Sequence, residues 1–214
     1  MSAGNSGEAH TATAARVSAQ RGSHDDVVAR GRRTVVRRKR LPDAADEYRW
    51  RSDPELAKFD ASRPVQTPFE AYERNWSFDY RFTDMAGRSF AIEDENGRHI
   101  GNVMYYNIDS ARSEAELGVS IGEPERWSQG YGSDAVEALV KALFDEGRPD
   151  GRASARLNRL YLHTLDWNRR AQRAFQKAGF TVSGTSWRDG HTFIVMESRR
   201  IWAPSRTAVR EAVA

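Results

Sequence analysis

The stretch AELGVSIGEPERWSQGYGSDAVEAL, residues 115–139, joins two kinds of secondary structure through a glycine-rich loop. Its first part is typical of a β-strand, and Gly118 and Gly122 indicate a bulge or a close approach of another part of the chain. After Gly132, apolar residues recur at three- and four-residue spacing, which predicts an amphipathic helix. The stretch therefore predicts a strand, a glycine loop and a helix in succession.

The loop SQGYGS, residues 128–133, predicts a binding site for a phosphate or diphosphate. Glycines let the backbone approach a bulky anion closely, and the N–H groups of a helix's first turn have no partner within the helix. The spacing lacks the Lys of a P-loop, and Ala135 replaces the third glycine of the dinucleotide-binding pattern. These differences disfavour an NTPase, a kinase or a dinucleotide-binding enzyme.

Turn and cap residues outside this stretch predict a mixed arrangement of helices and strands. The predicted elements are a first strand at Val35 and Val36, helices entered at Pro42, Pro54 and Pro68, a hairpin turning at Asn96-Gly97, a strand RLYLHTL (159–165), a helix from Asn168 to Gly179, and a hairpin turning at Asp189-Gly190.

The length of 214 residues suits one domain with tails. Residues 1–33 are predicted to be a disordered tail because few large apolar residues occur there, residues 34–200 the domain, and residues 201–214 a second tail. We expect no membrane segment, no signal peptide and a cytoplasmic location. With no cysteine and five scattered histidines, we expect no metal site.

The positive charge is concentrated at one end of the sequence. Residues 1–40 carry a net charge of +6, whereas residues 41–214 carry −3. The run RGRRTVVRRKR, residues 30–40, is compatible with binding to nucleic acid or an acidic partner, but also with a strand flanked by solvated charges. The strand is the favoured interpretation, so a nucleic acid partner is not expected.

Four segments carry a family resemblance: LPDAADEYRWRSDPELAKF (41–59), residues 115–139, DWNRRAQRAFQKAGF (166–180) and WRDGHTFIVME (187–197). In these segments the chain resembles the GNAT superfamily of acetyl-CoA-dependent N-acetyltransferases, and within it the RimJ and RimL type, which acetylates ribosomal-protein N-termini. The resemblance implies an α/β (α+β) fold whose mixed, mostly antiparallel sheet is splayed at its middle strands and flanked by helices. It also implies acetyl-CoA as co-substrate, no metal, and a monomer or homodimer.

The resemblance implies a role for each part of the cofactor site. The backbone of Ser128, Gln129, Gly130, Tyr131, Gly132 and Ser133 is expected to hold the pyrophosphate of coenzyme A, and the backbone of Val119, Ser120 and Ile121 is expected to pair with the pantetheine arm. Asn168 is expected to bind the same arm, to cap its helix, or both. Trp127 replaces the Gln or Arg of many members, so a side-chain contact with the cofactor is not carried over at that position.

The resemblance implies direct attack of a neutral amine on the thioester. Glu116 is the candidate general base, and the alternative is that it orients the substrate ammonium or pairs with an arginine. Many members have a tyrosine on the last helix as general acid, but Phe175 occupies that position and has no hydroxyl. Water, Ser128 or Tyr131 remain candidates for that role. His163 lies beside the cleft, where a packed strand residue is the favoured interpretation.

A protein N-terminal amine ranks first among the acceptors by resemblance. A small cationic amine, such as an aminoglycoside, a polyamine or an amino-acid analogue, is the alternative substrate. A different alternative is a non-catalytic module that binds acyl-CoA.

Overall fold

A computed structural model describes residues 26–82, 88–145 and 157–200, which form one eight-stranded sheet with helices on both faces. The elements are β1 (Val27–Arg30), β2 (Val35–Arg38), α1 (Asp43–Ser52), α2 (Pro54–Phe59), α3 (Phe69–Phe82), β3 (Ser89–Glu93), β4 (His99–Asp109), β5 (Glu114–Ile121), a 3-10 turn (Pro124–Arg126), α4 (Tyr131–Asp145), β6 (Arg159–Leu165), α5 (Arg169–Lys177), β7 (Thr181–Arg188) and β8 (His191–Arg199). Their order in the sheet is β1-β2-β3-β4-β5-β6-β8-β7.

All neighbouring strands of the sheet are antiparallel except β5 and β6, which are parallel. The β5–β6 ladder runs only from Glu114, opposite Arg159, to Glu116, opposite Tyr161. Beyond that point both strands continue without pairing to each other. This confirms the predicted mixed sheet with splayed middle strands, and it leaves one edge of β5 open to a cleft.

The core lies between the sheet and α4. The helix packs against β1, β2, β4 and β5 and contacts α5, whereas α1 packs against α2, α3 and β4. Buried apolar side chains fill the interface with α4, among them Val36, Phe90, Val103, Tyr105, Leu117, Val136, Leu139 and Leu143. No described helix is both long enough and apolar enough to cross a bilayer.

Local sequence signals account for most element boundaries. Asp53 caps α2 by accepting the amides of Glu55 and Leu56. Asn168 caps α5 through the amide of Ala171. The predicted hairpin turns at Asn96-Gly97 and Asp189-Gly190 are confirmed, with positive φ at both glycines and at Asp189.

The prediction of a disordered tail over residues 1–33 is wrong for part of that range. Residues 27–30, assigned to the tail within residues 1–33, form β1, which pairs with β2. Val28 and Ala29 pack against the core. Two small apolar residues are therefore enough to hold β1 in the sheet when the neighbouring strand supplies its hydrogen bonds. The rest of that tail up to residue 25, and the predicted tail at 201–214, lie outside the described residues.

The basic run at residues 30–40 extends from the end of β1 through the following turn and β2 to two residues beyond β2. Carboxylates of the domain pair with most of its charges. These pairs are Arg32 with Glu137, Arg33 with Glu95, Arg37 with Asp43 and Glu93, Lys39 with Glu47, and Arg40 with Glu93. Arg37 and Asp43 are buried, and this pairing favours the strand interpretation over a nucleic-acid surface.

Candidate functional site

The glycine loop presents its backbone donors at the start of α4. Ser128 and Gly130 adopt left-handed backbone conformations, with φ of 61° and 93°. The amide of Trp127 donates to Pro124, and that of Asp134 donates to Gly130. Between them, the amides of residues 128–133 donate to no residue in the described part of the chain. They are therefore available to an anion, as the sequence predicts.

A buried carboxylate fixes the beginning of α4 against the turn between β1 and β2. Asp134 accepts the amides of Arg32, Arg33 and Thr34 at 2.9–3.0 Å and the Thr34 hydroxyl at 2.8 Å. Burial raises the pKa of Asp134, but these hydrogen bonds lower it further, so that the resulting pKa lies below the ordinary value. A Cβ atom at Gly31 would lie 2.1 Å from the same carboxylate, which explains the glycine.

Side chains behind the loop hold it in place. The buried Tyr131 hydroxyl donates to Glu95 and accepts from Arg33 at 2.7 Å. Arg33 also donates to the carbonyl of Gln129 at 2.8 Å, and the Gln129 side chain donates to the Glu125 carbonyl. The Tyr131 hydroxyl is thus engaged in supporting the loop, which argues against the general-acid role considered for it.

A cavity of about 690 Å³ opens from the loop, runs along the free edge of β5 and reaches α5. The predicted residues that line it are Val119, Ser120, Ile121, Ser128, Gly130, Tyr131, Gly132, Ser133 and Asn168. Among the predicted site residues, which all fall within the described ranges, Gln129 and Glu116 do not line it. The structure therefore brings most of the predicted cofactor residues to one cavity.

The free edge of β5 offers backbone groups at alternate residues. The Gly122 amide donates to Ile100 on β4, so Ser120, two residues earlier, pairs with Asn102 on the same side. Val119 and Ile121 consequently direct their N–H and C=O groups into the cleft. The Ile121 carbonyl already accepts the indole Nε1 of Trp127 at 2.7 Å. Val119 and the Ile121 amide are therefore better placed than Ser120 to pair with a ligand amide.

Helix α5 contributes a polar cap and a row of cations to the cavity. The Asn168 carbonyl oxygen Oδ1 accepts the Ala171 amide at 3.2 Å, while its Nδ2 group donates to no residue in the described ranges. Arg170 was not predicted as a site residue; it lies 3.5 Å from the centroid of the Trp127 ring and 4.7 Å from that of the Phe59 ring. Burial lowers the pKa of Arg170. Arg173 and Lys177 line the same wall, which is therefore suited to an anion.

Glu116 lies on β5 at the last pair before the strands diverge, and it is only 4% exposed. Its carboxylate is contacted by the Tyr106 hydroxyl at 3.2 Å, by Asn107 Nδ2 at 2.9 Å and by His163 Nδ1 at 2.8 Å. Burial, together with the neighbouring carboxylate, raises the pKa of Tyr106. Tyr106 and Asn107 were not predicted as site residues, because only the pairing of β4 with β5 brings them to Glu116.

Phe175 is buried on α5, with its ring centroid 6.1 Å from that of Phe180. Its packing gives no substitute for the tyrosine hydroxyl that the family resemblance implies at this position. No group of three His, Cys, Asp or Glu side chains that could hold a metal ion occurs within residues 26–82, 88–145 and 157–200.

The cavity continues past β5 toward α1, α2 and α3. Its wall there includes Glu47, which accepts Lys39 Nζ at 2.7 Å and Trp76 Nε1 at 3.0 Å. Trp50 lies against Gly122, where an added Cβ atom would stand 2.0 Å from the indole ring. Residues of α1, α2 and α3 therefore line the same cavity as the glycine loop and α5.

Comparison with known families and structures agrees with this geometry. The sequence profile described as "Acetyltransferase (GNAT) domain" matches residues 33–181. No curated protein sequence matches the chain. In fold, the chain is similar to an acetyltransferase of the GNAT family from Bacillus anthracis, with a TM-score of 0.65 and 18% identity, covering 80% of this chain and 98% of that one.

Two further structures share the fold. One is a spermidine N-acetyltransferase from Vibrio cholerae in complex with CoA and spermine, with a TM-score of 0.62 and 20% identity over 78% of this chain and 95% of that one. The other is the aminoglycoside acetyltransferase AAC(6')-Ib in complex with coenzyme A, with a TM-score of 0.59 and 18% identity over 85% of this chain and 99% of that one. At these identities the similarity concerns the fold.

Proposed function

The chain belongs to the acetyltransferase (GNAT) domain family, and on that premise we propose that it transfers the acetyl group of acetyl-CoA to a primary amine. The observation that carries this proposal is the set of amides at residues 128–133, which donate to no described residue and lie at a cavity that follows the free edge of β5. One continuous cavity can thus hold a diphosphate at one end and bring a thioester to the point where the strands diverge.

The residues around the cavity fit the parts of coenzyme A. The amides of residues 128–133 would hold the diphosphate, because a helix N-terminus combines unpaired donors with a partial positive charge. Arg170 would add a cation to that end. Val119, the Ile121 amide and Asn168 Nδ2 would pair with the amides of the pantetheine arm, whereas Ser120 would contribute only its side chain.

The reaction joins the amine nitrogen directly to the thioester carbon. Removing the proton from an amine of pKa about 10.4 at pH 7 costs about 4.6 kcal/mol, whereas an α-amine of pKa about 7.8 needs about 1 kcal/mol. We infer that the Glu116 carboxylate supports this deprotonation through the groups that contact it. Phe175 offers no hydroxyl, and a thiol of pKa about 8.5 leaves tolerably well with a proton from water or from Ser128.

A peptide α-amine is the first acceptor that we propose, as in the RimJ and RimL type. The low cost of deprotonating an α-amine supports this acceptor. The carboxylate next to the point where β5 and β6 diverge is buried and held by three neighbours, so an amine that is easily deprotonated suits this site. A small amine is the second acceptor, and its support is the fold shared with the spermidine and aminoglycoside acetyltransferases. The negative charge of residues 41–214 suits either cationic acceptor.

The test is release of free thiol from acetyl-CoA with a panel of acceptors. The panel contains a peptide with a free α-amine, the same peptide with its α-amine blocked and a lysine retained, spermine, and an aminoglycoside. Turnover that needs the free α-amine supports the peptide acceptor, and turnover with spermine or the aminoglycoside alone supports the small amine. Tight binding of acetyl-CoA without turnover on any acceptor would leave a non-catalytic acyl-CoA-binding module.

A pair of glycine variants tests the cofactor site in the same assay. Gly130→Val places a β-branched residue at φ of 93° in the loop, and Gly190→Val places one at φ of 81° in the β7–β8 turn. Both substitutions strain a turn in open space. We expect Gly130→Val to weaken acetyl-CoA binding by at least about tenfold, equal to about 1.4 kcal/mol, while Gly190→Val binds normally. Equal binding by the two variants would contradict the proposed site.

A further inference from the structure

Glu116 is too enclosed to meet an amine directly. Both of its oxygens are engaged: Tyr106 and His163 contact Oε1, and Asn107 contacts Oε2. A carboxylate has about four acceptor positions, and three donors already fill most of them. Because the residue is only 4% exposed, a proton must reach it, or be balanced by it, through one of these neighbours.

Among the three neighbours of Glu116, His163 is the one whose side chain can act as a neutral base. It lies on β6 two residues beyond Tyr161, the last residue of β6 that pairs with β5. Residues two apart on a strand share a face, so His163 lies on the same face as Tyr161 and Glu116, where β5 no longer covers the strand. Its side chain is 16% exposed, compared with 5% for that of Glu116. The imidazole is thus more accessible than the carboxylate that it contacts.

The contact with Glu116 decides which nitrogen of His163 is the base. An ionised carboxylate only accepts hydrogen bonds, so His163 Nδ1, 2.8 Å from Oε1, carries a proton. In the neutral imidazole the lone pair is then on Nε2, which makes no hydrogen bond to a described residue. The rings of Tyr161 and Phe193 stand edge-on to the imidazole at centroid distances of 5.9 and 6.4 Å and restrict its rotation.

We propose that His163 Nε2 accepts the proton of the attacking amine, and that Glu116 is a positioning residue that fixes the imidazole; the inference rests on the proposed acetyl transfer. The amine nitrogen forms a bond to the thioester carbon, and the carbon–sulfur bond breaks with its electron pair moving to sulfur. The proton passes from nitrogen to Nε2. It then leaves the imidazolium for the thiolate or water, so that the products are the N-acetyl amine and CoA.

Charged and hydroxyl groups from four strands lie around the pair of Glu116 and His163. These groups are Glu116 and Glu114 on β5, Tyr106 on β4, Tyr161 on β6 and Arg188 on β7, which stacks on Phe193. Burial raises the pKa of Tyr106 and of Tyr161, so both hydroxyls stay protonated. Neither hydroxyl can therefore take the proton of the amine, which leaves His163 Nε2 as the acceptor.

The experiment compares His163→Gln, Glu116→Gln and the wild type, with His191→Gln as the control for loss of an exposed imidazole on β8. Glutamine at position 163 can still donate to Glu116, so the strand pair is preserved. We expect His163→Gln to lower kcat by about 100-fold or more and to keep the wild-type Kd for acetyl-CoA. His191→Gln should keep both the wild-type kcat and the wild-type Kd.

A measurement on the resting protein tests the same geometry without activity. Long-range 1H–15N NMR of the wild type should show His163 as the Nδ1–H tautomer, and Glu116→Gln should shift it toward Nε2–H. Unchanged kcat in His163→Gln, or an Nε2–H tautomer in the wild type, overturns the role of His163 and leaves acetyl transfer intact. A wild type that binds acetyl-CoA but acetylates no amine overturns both proposals.

Discussion

The indole Nε1 of Trp127 donates a 2.7 Å hydrogen bond to the carbonyl of Ile121, and so ties the phosphate loop to the free edge of β5. The bond uses a carbonyl that would otherwise face the cleft. The guanidinium of Arg170 stacks on the same indole, 3.5 Å from the ring centroid. Trp127 therefore connects three walls of the cavity, although family resemblance alone carried no side-chain role to this position.

Replacing Trp127 by phenylalanine should keep the ring stack and remove the hydrogen bond. We expect a loss of about 0.5–1.5 kcal/mol in the free energy of unfolding and weaker binding of acetyl-CoA, because the loop is no longer tied to β5. Urea denaturation and calorimetric titration measure the two effects. Trp187→Phe, at a residue 73% exposed on β7, is the matched control and should change neither.

Replacing Arg170 by glutamine should weaken the cofactor complex through lost charge. A hydrogen bond from a charged group contributes about 1.5–3 kcal/mol, and screening by salt should reduce the difference from wild type. Titration of acetyl-CoA at low and high salt measures this. Arg112→Gln, at an exposed residue before β5, should bind as the wild type does. If the affinity for acetyl-CoA does not depend on salt in either the wild type or Arg170→Gln, Arg170 does not interact with the phosphates.

The Asp134 carboxylate should make the domain sensitive to acid. Its pKa is lower in the folded protein than in the unfolded chain, so its contribution to stability is present above the unfolded pKa of about 3.9 and is lost as the pH falls through the folded pKa. Asp134→Asn should cost about 1–3 kcal/mol at pH 7 and flatten the loss of stability below about pH 4.

Urea denaturation at a series of pH values tests this prediction. The control is Asp189→Asn in the exposed β7–β8 turn, where asparagine tolerates the positive φ of 49°. In that variant the free energy of unfolding should change with pH as it does in the wild type. If Asp134→Asn shows the same change with pH as the wild type, another carboxylate governs the acid transition.

Gly122→Ala should disturb the wall between β5 and α1. The added Cβ atom would lie 2.0 Å from the Trp50 ring, which also donates to Glu123 at 3.2 Å. Overpacking of this kind costs about 1–3 kcal/mol. Thermal unfolding should therefore begin earlier than in Gly184→Ala, where a Cβ atom meets nothing within 4 Å. Equal stability would show that Trp50 moves aside freely.

The parts of the fold that the sequence predicts are those controlled by neighbouring residues. The apolar spacing after Gly132 predicts α4, and Asn168 caps α5 through a residue three positions away. Glycines with positive φ mark both hairpin turns. These signals act between residues that are close together in the sequence, so they can be recognised from the sequence alone.

The parts that the sequence does not reveal depend on distant pairs. Asp134 meets Thr34 across 100 residues, and neither residue type alone indicates an anchor for β1. Glu116 meets His163 across 47 residues, and only the short β5–β6 ladder brings them together. The lengths of strand ladders decide these contacts, so composition and periodicity could not predict them.

The most direct test of the central claim is a crystal structure of the protein with acetyl-CoA. We predict that oxygens of the diphosphate lie about 2.7–3.2 Å from backbone amides of residues 128–133, with the thioester beside the divergence of β5 and β6. A diphosphate bound elsewhere, or side chains of the protein occupying those amides in the complex, would contradict the account.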